Sequence, residues 1–185
     1  PMSVEQYTTA AYDYGDLEGG KILKTKGIAK ELGKGVPPNN IEVEQLVLGA
    51  LILERDAFPL VGEILTPDCF YDTKNRYVFE AIRQLALEEK PIDAQTVVEQ
   101  LKLMDKLSVT NGLVYVAELA SLVNSTAHLE FHARLLFDKK IQRDLISFGN
   151  DVIGNAFDET IPITDTMQDA EQQLFEITQG TDSNE

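Results

Sequence analysis

Apolar residues recur at helical spacing along most of the sequence after residue 37. The first predicted helix runs from about Ile41 to Glu54, and its second half leaves almost no polar face, which is typical of a central helix with neighbours on most sides. Gly49 within it predicts a close approach by another helix, at a cost of about 1 kcal/mol in helix propensity. We predict further helices over about 56–65, 72–88, 94–104 and 113–123, and a single turn over 66–70.

Two long amphipathic helices follow, one over 126–157 and one that begins near Ile163, joined by a turn at 158–162. Because this loop is short, the two helices are predicted to form an antiparallel hairpin. No segment alternates apolar and polar residues with a period of two. The predicted fold class is therefore all-α, a compact multi-helix globular domain followed by a long antiparallel helical hairpin.

The apolar stripe of this hairpin is too wide for the hairpin to cover alone. A second copy of the hairpin would cover it, which favours self-association, and docking onto the chain's own globular domain is the alternative. The residues that we expect at a partner or dimer interface are Phe137, Ile141, Leu145, Phe148, Val152, Phe157, Met167 and Leu174.

The pattern divides the chain into four segments. Residues 1–36 have no sustained period and are predicted to be a flexible arm, with Met2 as the expected natural first residue. Residues 37–124 are predicted to form the globular helical domain, 125–180 the dimerisation hairpin, and 181–185 the start of a linker.

Charge is unevenly distributed over the 185 residues, whose formal net charge is −15. Residues 158–185 carry eight acidic residues and no basic one. A surface this acidic repels phosphates, so we expect little or no direct DNA binding and protein partners with a basic face. The one cysteine, Cys69, cannot form an internal disulfide, which fits a reducing cytoplasm. The longest apolar block has eight residues, far short of the roughly 20 that a membrane helix needs.

Candidate chemical motifs are few and incomplete. Residues 15–21 match the G-x-x-x-x-G-K part of a phosphate-binding loop, but Ile22 replaces the Ser or Thr that holds Mg²⁺, and no hydrophobic strand precedes it. His128 and His132 have a spacing that can bind one metal, but the sequence supplies no further cysteine or histidine ligands, so we interpret them as a solvated or interface pair. Cys69 is interpreted as a small packed residue.

A basic cluster lies in the long helix at Lys139, Lys140 and Arg143. We expect salt bridges with Asp138 and Asp144, or with a neighbouring subunit. We predict no catalytic, cofactor-binding or metal-binding residue in this chain.

Residue patterns in family order over about 37–180 carry a resemblance to a known family. They are Pro37-Pro38, Glu42, Glu44-Gln45, 47–51, Ala57-Phe58, Phe70-Tyr71, Phe79, Ala81-Ile82, 91–93, Gly112-Leu113, Tyr115, Glu118-Leu119, 125–128, Arg143 and Leu145-Ile146. Together they resemble the N-terminal domain of replicative DNA helicases of the DnaB family. Two departures, Cys69 where the family commonly has Asp and Asn75 where it often has His, are expected to act locally, for example on helix capping.

The resemblance implies a parent protein that is a hexameric, ATP-dependent helicase of the replication fork, and hence an ATP hydrolase. In that family the N-terminal domains form a collar, a trimer of dimers paired partly through the hairpins, and dock primase within the primosome. The resemblance thus implies as partners a second copy of the chain, primase and a helicase loader, and a bacterial cytoplasmic, nucleoid-associated location. It places ATP, Mg²⁺ and the DNA-translocating loops in a C-terminal RecA-like domain.

Two other hypotheses remain open at this point. One is a stand-alone adaptor with the same fold that binds helicase or primase. The other is an enzymatic role in which the Gly-Lys loop of the arm binds nucleotide.

Overall fold

The computed structural model describes residues 35–54, 56–123 and 126–182. Contacts divide the chain into one unit of residues Pro1–Val36 and a second of Pro37–Glu185, and all the elements named below lie in the second. Within the described ranges there are eight α-helices, one 3-10 helix and no strand. The predicted all-α class is confirmed, and the predicted arm lies almost wholly outside the described residues.

The helices follow one another through short connections. They are α1 (Ile41–Leu53), α2 (Phe58–Val61), α3 (Thr73–Leu87), α4 (Ala94–Leu103), α5 (Leu107–Thr110), α6 (Gly112–Ser121), α7 (Leu129–Ala156) and α8 (Ile163–Asp182), with the 3-10 helix Pro67–Cys69 between α2 and α3. Helices α1 to α6 and the first half of α7 form a globular body. The second half of α7 and α8 form the predicted hairpin.

Helix α1 is the centre of the body, because α3, α6 and α7 all pack against it. Six consecutive residues, 47–52, are buried, so the helix has no solvent face over nearly two turns. A Cβ on Gly49 would lie 2.3 Å from the Leu119 carbonyl oxygen and 2.8 Å from Val123 Cγ2. The close helix approach predicted for Gly49 is therefore confirmed, and α6 is the helix that makes it.

Acidic and amide side chains fix the starts of three helices. The Asn40 side chain accepts a hydrogen bond from Val43 N (3.2 Å), and Asp72 accepts from the first turn of α3 at 2.8 and 3.2 Å. Asp93 accepts from Gln95 N and Thr96 N, both at 2.9 Å, at the start of α4. These bonds satisfy amides that have no partner within their own helix, so the predicted boundaries at these starts are confirmed.

The structure differs from the predicted boundaries at two short helices. A helix over 56–65 was expected, but α2 is a single turn that ends at Val61. Pro59 is tolerated only in a first turn, and Gly62 is a poor helix former, so the chain continues as turns instead. Helix α5 was not predicted because one turn is too short to show a period. It ends at Thr110, and the next residue, Asn111, has a left-handed φ of 53°.

The buried apolar core belongs entirely to the body. Within the described ranges, every buried apolar side chain lies between Val47 and Leu136. The aromatic part of the core is built on α3, where Phe79 stacks with Phe70 (ring centroids 4.7 Å apart) and with Phe58 (6.3 Å). In the same ranges, no helix is both long enough and apolar enough to cross a membrane.

One carboxylate, Glu44 of α1, is completely buried within this body. It accepts hydrogen bonds from Tyr71 N at 2.7 Å, from Asp72 N at 3.3 Å and from Asn75 Nδ2 at 2.8 Å. Three donors on the approach to α3 and on its first turn thus bond one side chain of α1. A buried charge is tolerated only when hydrogen bonds replace its hydration, so Glu44 fixes the position of α3 relative to α1.

Tyr115 of α6 extends this network to a third helix. Its hydroxyl donates to Asn75 Oδ1 and accepts from Gln45 Nε2 at 3.3 Å. Burial, reinforced by nearby carboxylates, raises the pKa of Tyr115, so its hydroxyl keeps the proton that it donates. Asn75, which we expected to act on capping, is instead a fully buried link between α1, α3 and α6.

We predict that Glu44→Ala lowers the free energy of unfolding by about 2–4 kcal/mol, because it leaves three donors without their acceptor. Urea unfolding followed by circular dichroism measures this. Glu42→Ala, an exposed carboxylate in the same helix turn, is the matched control and should cost less than about 1 kcal/mol. Equal losses in the two variants would contradict the role given to the buried network.

Candidate protein-interaction surface on the helical hairpin

Helix α7 belongs half to the body and half to the hairpin. Its first turns bury Leu129, Ala133 and Leu136, and Phe137 packs against the edge of the same core. After Leu136 no apolar side chain of the described chain is buried. The second half of α7 therefore leaves the body as a helix whose apolar residues have only α8 to cover them.

A tight turn reverses the chain between the two helices. The Asp158 carboxylate accepts from Thr160 N at 3.0 Å, and Ile161 N donates to the Asp158 carbonyl at 3.1 Å. Asp165 N and Thr166 N donate to the Pro162 carbonyl and start α8. The turn predicted at 158–162 is confirmed, and α8 packs back along α7 as the predicted antiparallel partner.

Only one narrow face of α8 is covered by α7. Thr166 is buried, and Ala170, Gln173 and Ile177 are partly buried on the same face. A cavity of about 320 Å³ between the helices is lined by Phe148 and Ile177 among mostly polar side chains. The hairpin contact is therefore thin and partly polar, unlike the core of the body.

A band of large apolar side chains on both helices stays exposed beside this contact. Its members, with their exposed fractions, are Leu145 (45%), Ile146 (45%), Ile153 (37%), Phe157 (40%), Ile163 (67%), Met167 (60%), Leu174 (43%) and Phe175 (60%). Contiguous exposed apolar side chains of this kind mark interaction surfaces in soluble proteins. We call this set the hairpin apolar band.

The eight residues predicted for an interface fall into three groups. Leu145, Phe157, Met167 and Leu174 lie in the hairpin apolar band. Ile141, Phe148 and Val152 are partly buried along α7. Phe137 packs on the chain's own core, so burial in the body already accounts for its apolar character. Their role in contacting a partner stays a prediction.

Phe175 is an exposed aromatic residue that the sequence analysis missed. It lies beside Leu174 but outside the i+3/i+4 stripe of α8, and it is 60% exposed. A phenylalanine among polar neighbours on the outer side of an amphipathic helix was the available signal. Stripe-based selection discards such a residue because it does not fit the period.

The net negative charge of the hairpin is concentrated on α8. This helix contains Asp165, Asp169, Glu171 and Glu176 and no lysine or arginine. By contrast, the segment of α7 from Leu145 through its cap at Phe157 carries a single charge, at Asp151. The hairpin thus presents a nearly uncharged apolar side on α7. On α8, Asp165, Asp169 and Glu176 share one side and form an acidic surface, whereas Glu171 lies on the side of Met167 and Leu174.

Arg143 anchors the hairpin to the body where α7 leaves it. Its guanidinium donates to the carbonyl oxygens of Pro38 (2.9 Å), Cys69 (3.2 Å) and Asp68. It also lies over the Tyr71 ring, 6.0 Å from the centroid. Salt bridges with Asp138 and Asp144 were expected for Arg143, but carbonyl oxygens of two separate chain segments take its donors instead.

The rest of the basic cluster makes local contacts along α7. Lys140 forms the ion pair expected with Asp144, at 2.6 Å, and Lys139 donates to Gln142 at 3.1 Å. Both side chains are thus engaged within one helix, and ion pairs four residues apart on a helix surface contribute only about 0.3–0.5 kcal/mol to stability.

The other candidate motifs gain no chemical function from the structure. The rings of His128 and His132 are 6.4 Å apart between centroids, in an edge-on arrangement. Within the described ranges, no three His, Cys, Asp or Glu side chains group as metal ligands would. The Gly-Lys motif at 15–21 lies outside the described residues.

Cys69 is a buried thiol in the 3-10 helix. Burial raises its pKa, so the thiolate form is disfavoured. Its Sγ accepts from Thr66 N at 3.4 Å and thereby helps to cap the turn, as expected for this position. This geometry agrees with the interpretation of Cys69 as a packed residue rather than a nucleophile.

Comparison with known proteins identifies relatives over most of the chain. Residues 36–138 match a family model described as the DnaB-like helicase N terminal domain. The replicative DNA helicase DnaB of Rhodothermus marinus is 31% identical over 178 residues, which is 95% of this chain and 19% of that protein. The replicative DNA helicase DnaC of Bacillus subtilis (strain 168) is 32% identical over 148 residues, 80% of this chain and 33% of that protein. The chain thus spans about a fifth to a third of the length of these curated relatives.

Solved structures show the same fold. The N-terminal domain of DnaB helicase from Mycobacterium tuberculosis superposes with a TM-score of 0.72 at 28% identity, over 77% of this chain and 99% of that one. A structure described as a DnaB-like replicative helicase and its interactions with primase gives a TM-score of 0.63 at 25% identity, over 75% of this chain and 31% of that one.

We predict that Arg143→Lys lowers the free energy of unfolding by about 1–3 kcal/mol, because one ammonium group cannot replace a guanidinium that bonds three carbonyl oxygens. Urea unfolding measures the change. Arg83→Lys, on the exposed side of α3, is the matched control and should stay within about 0.5 kcal/mol of the natural chain. An Arg143→Lys variant with the same free energy of unfolding as the natural chain would show that the hairpin is held to the body without this anchor.

Proposed function

Because the chain belongs to the family of DnaB-like helicase N-terminal domains, we propose that it is the non-catalytic assembly domain of a hexameric replicative DNA helicase. In this role it pairs with a second copy of itself through the α7–α8 hairpin, contributes to a collar built as a trimer of dimers, and docks primase. The hairpin apolar band is the observation that carries the proposal.

Self-pairing through the hairpin is supported by the way burial stops at Leu136. Exposing this many large apolar side chains is unfavourable by about 25 cal/mol for each Å² that could be buried. The globular body does not bury these side chains, because its core packs around α1 and ends at Leu136. A second hairpin presents the same band and can bury it by a two-fold contact, which is the commonest symmetry of protein dimers.

Primase docking is supported by charge and by one comparison. The related DnaB-like helicase structure is described with its interactions with primase. The acidic outer surface of α8 suits a partner with a basic face and is unsuited to DNA phosphates. A helicase loader is a further proposed partner, on family membership alone.

Unwinding itself is proposed for the parent protein. ATP and Mg²⁺ would bind a separate motor domain of such a helicase, while this domain supplies assembly. The proposed setting is the cytoplasm of a bacterium, beside the nucleoid, in keeping with bacterial relatives.

We predict that Leu145→Asp weakens dimerisation at least about tenfold, because pairing would then bury an unpaired charge. Sedimentation equilibrium over a range of concentrations measures the dissociation constant. Leu113→Asp, which puts the same charge on an exposed leucine of the body, is the control and should leave it unchanged. A natural chain that stays monomeric at high concentration, or a Leu145→Asp chain that dimerises normally, would refute hairpin pairing.

We further predict that a bacterial primase binds the chain more weakly when Asp165 and Asp169, exposed on one side of α8 and away from the hairpin apolar band, are both changed to Asn. Fluorescence anisotropy at increasing salt should also show a shallower salt dependence for this variant, because fewer charges attract the basic partner.

The control for this experiment changes Glu99 and Glu118, exposed on the body, to Gln. It removes the same net charge away from the hairpin. Equal losses in both double variants would exclude α8 as the docking surface, and an absence of primase binding by the natural chain would refute the docking proposal itself.

A further inference from the structure

We propose that two copies of this chain cross at Gly149 of α7, with the backbones of the two helices in close approach there. This inference deepens the proposed hairpin pairing by naming the contact point. It rests on the position of Gly149 in the hairpin apolar band, on the open space around it and on the distribution of charge.

Gly149 lies in the middle of the apolar side of α7. At about 100° per residue, it shares a helix side with Leu145 four residues before it, Ile146 three before it and Ile153 four after it. These three side chains are 45%, 45% and 37% exposed. The α7 part of the band is thus a set of protruding side chains around a position that has none.

The chain's own packing gives no reason for a glycine at this position. A Cβ on Gly149 would meet nothing within 4 Å, whereas one on Gly49 would clash with the backbone of α6. Glycine inside a helix costs about 1 kcal/mol relative to alanine. Gly49 repays that cost by close packing within the chain, and for Gly149 the equivalent packing is available only to another molecule.

A second copy of this chain fits this surface better than another partner does. Two chains of net charge −15 repel each other, so they meet at least cost where charge is absent. Between Leu145 and Phe157 the only charged residue is Asp151, and it lines the cavity between α7 and α8 rather than the apolar side. A basic partner would instead be drawn to the acidic surface of α8.

The shape of α7 around Gly149 also favours a second copy of this helix as the partner. Helices pack by setting side chains of one into the gaps of the other, usually with axes 8–10 Å apart. A glycine surrounded by Leu145, Ile146 and Ile153 is such a gap. When two identical helices cross at their glycines, the protruding side chains of each lie beside the gap of the other, and the axes can come closer.

Gly149→Ala against Gly154→Ala tests the proposal. A Cβ at Gly154 also meets nothing within 4 Å, but this residue lies about 140° around the helix from Gly149, and Phe157 at the end of α7 is the one band residue that shares its side. Both variants should raise the melting temperature of the dilute chain by similar amounts, since each gains helix propensity. Only Gly149→Ala should weaken the dimer, by about tenfold in sedimentation equilibrium, because the added methyl group overpacks the crossing.

Leucine in place of each glycine gives a stronger test of the crossing point. Gly149→Leu should abolish pairing at concentrations where the Gly154→Leu chain still dimerises. Equal dissociation constants for the two leucine variants, or a stronger dimer with Gly149→Ala, would overturn the crossing point. If Leu145→Asp prevents pairing while Gly149→Leu does not, the hairpin dimer stands and the crossing at Gly149 is refuted. If Leu145→Asp has no effect, hairpin pairing itself is refuted.

Discussion

The enclosure of α1 is the constraint on which the rest of the structure depends. A helix buried on all sides must be approached closely by its neighbours, and the missing side chain of Gly49 allows α6 to do so. The only charge on the buried part of α1 is Glu44, and it is satisfied by backbone and side-chain donors at the start of α3. Apolar burial therefore brings the helices together, while the carboxylate selects one arrangement of them, because any shift of α3 would leave donors and acceptor unpaired in a dry interior.

A body organised in this way is complete without the hairpin. Its core closes at Leu136, and α7 continues for 20 more residues with its root held by Arg143. Carbonyl oxygens from the approach to α1 and from the 3-10 helix accept hydrogen bonds from that guanidinium, and Tyr71, whose backbone amide bonds Glu44, lies beneath it. The direction of the hairpin is thus tied to segments that adjoin the Glu44 network. The hairpin therefore extends from a closely packed body, which suits a surface that must meet a second surface in a defined orientation.

Much of this could be predicted from the sequence, because helices are local and their signals are local. The spacing of apolar residues, the helix-capping residues and the turn residues predicted α1, α3, α4 and the hairpin, and Gly49 predicted a close contact with another helix. The partner of that contact could not be predicted, nor could the bonds of Arg143 to carbonyls more than 70 residues away. Asn75 is the clearest case: nothing near it in sequence shows that it joins Glu44 to Tyr115, since that depends on three helices meeting.

The distribution of charged residues assigns the two proposed roles of the hairpin, self-pairing and partner docking, to different surfaces. Pairing of identical acidic chains favours the uncharged side of α7, while recruitment of a basic protein favours the outer surface of α8. Because these surfaces lie on different sides of one hairpin, occupying the first leaves the second open. A dimer formed through α7 would place two acidic α8 surfaces on one assembly, and two linked weak sites hold a bivalent partner far more tightly than one. In the proposed role, assembly would then precede and strengthen docking, so that a partner would bind tightly only once the assembly had formed.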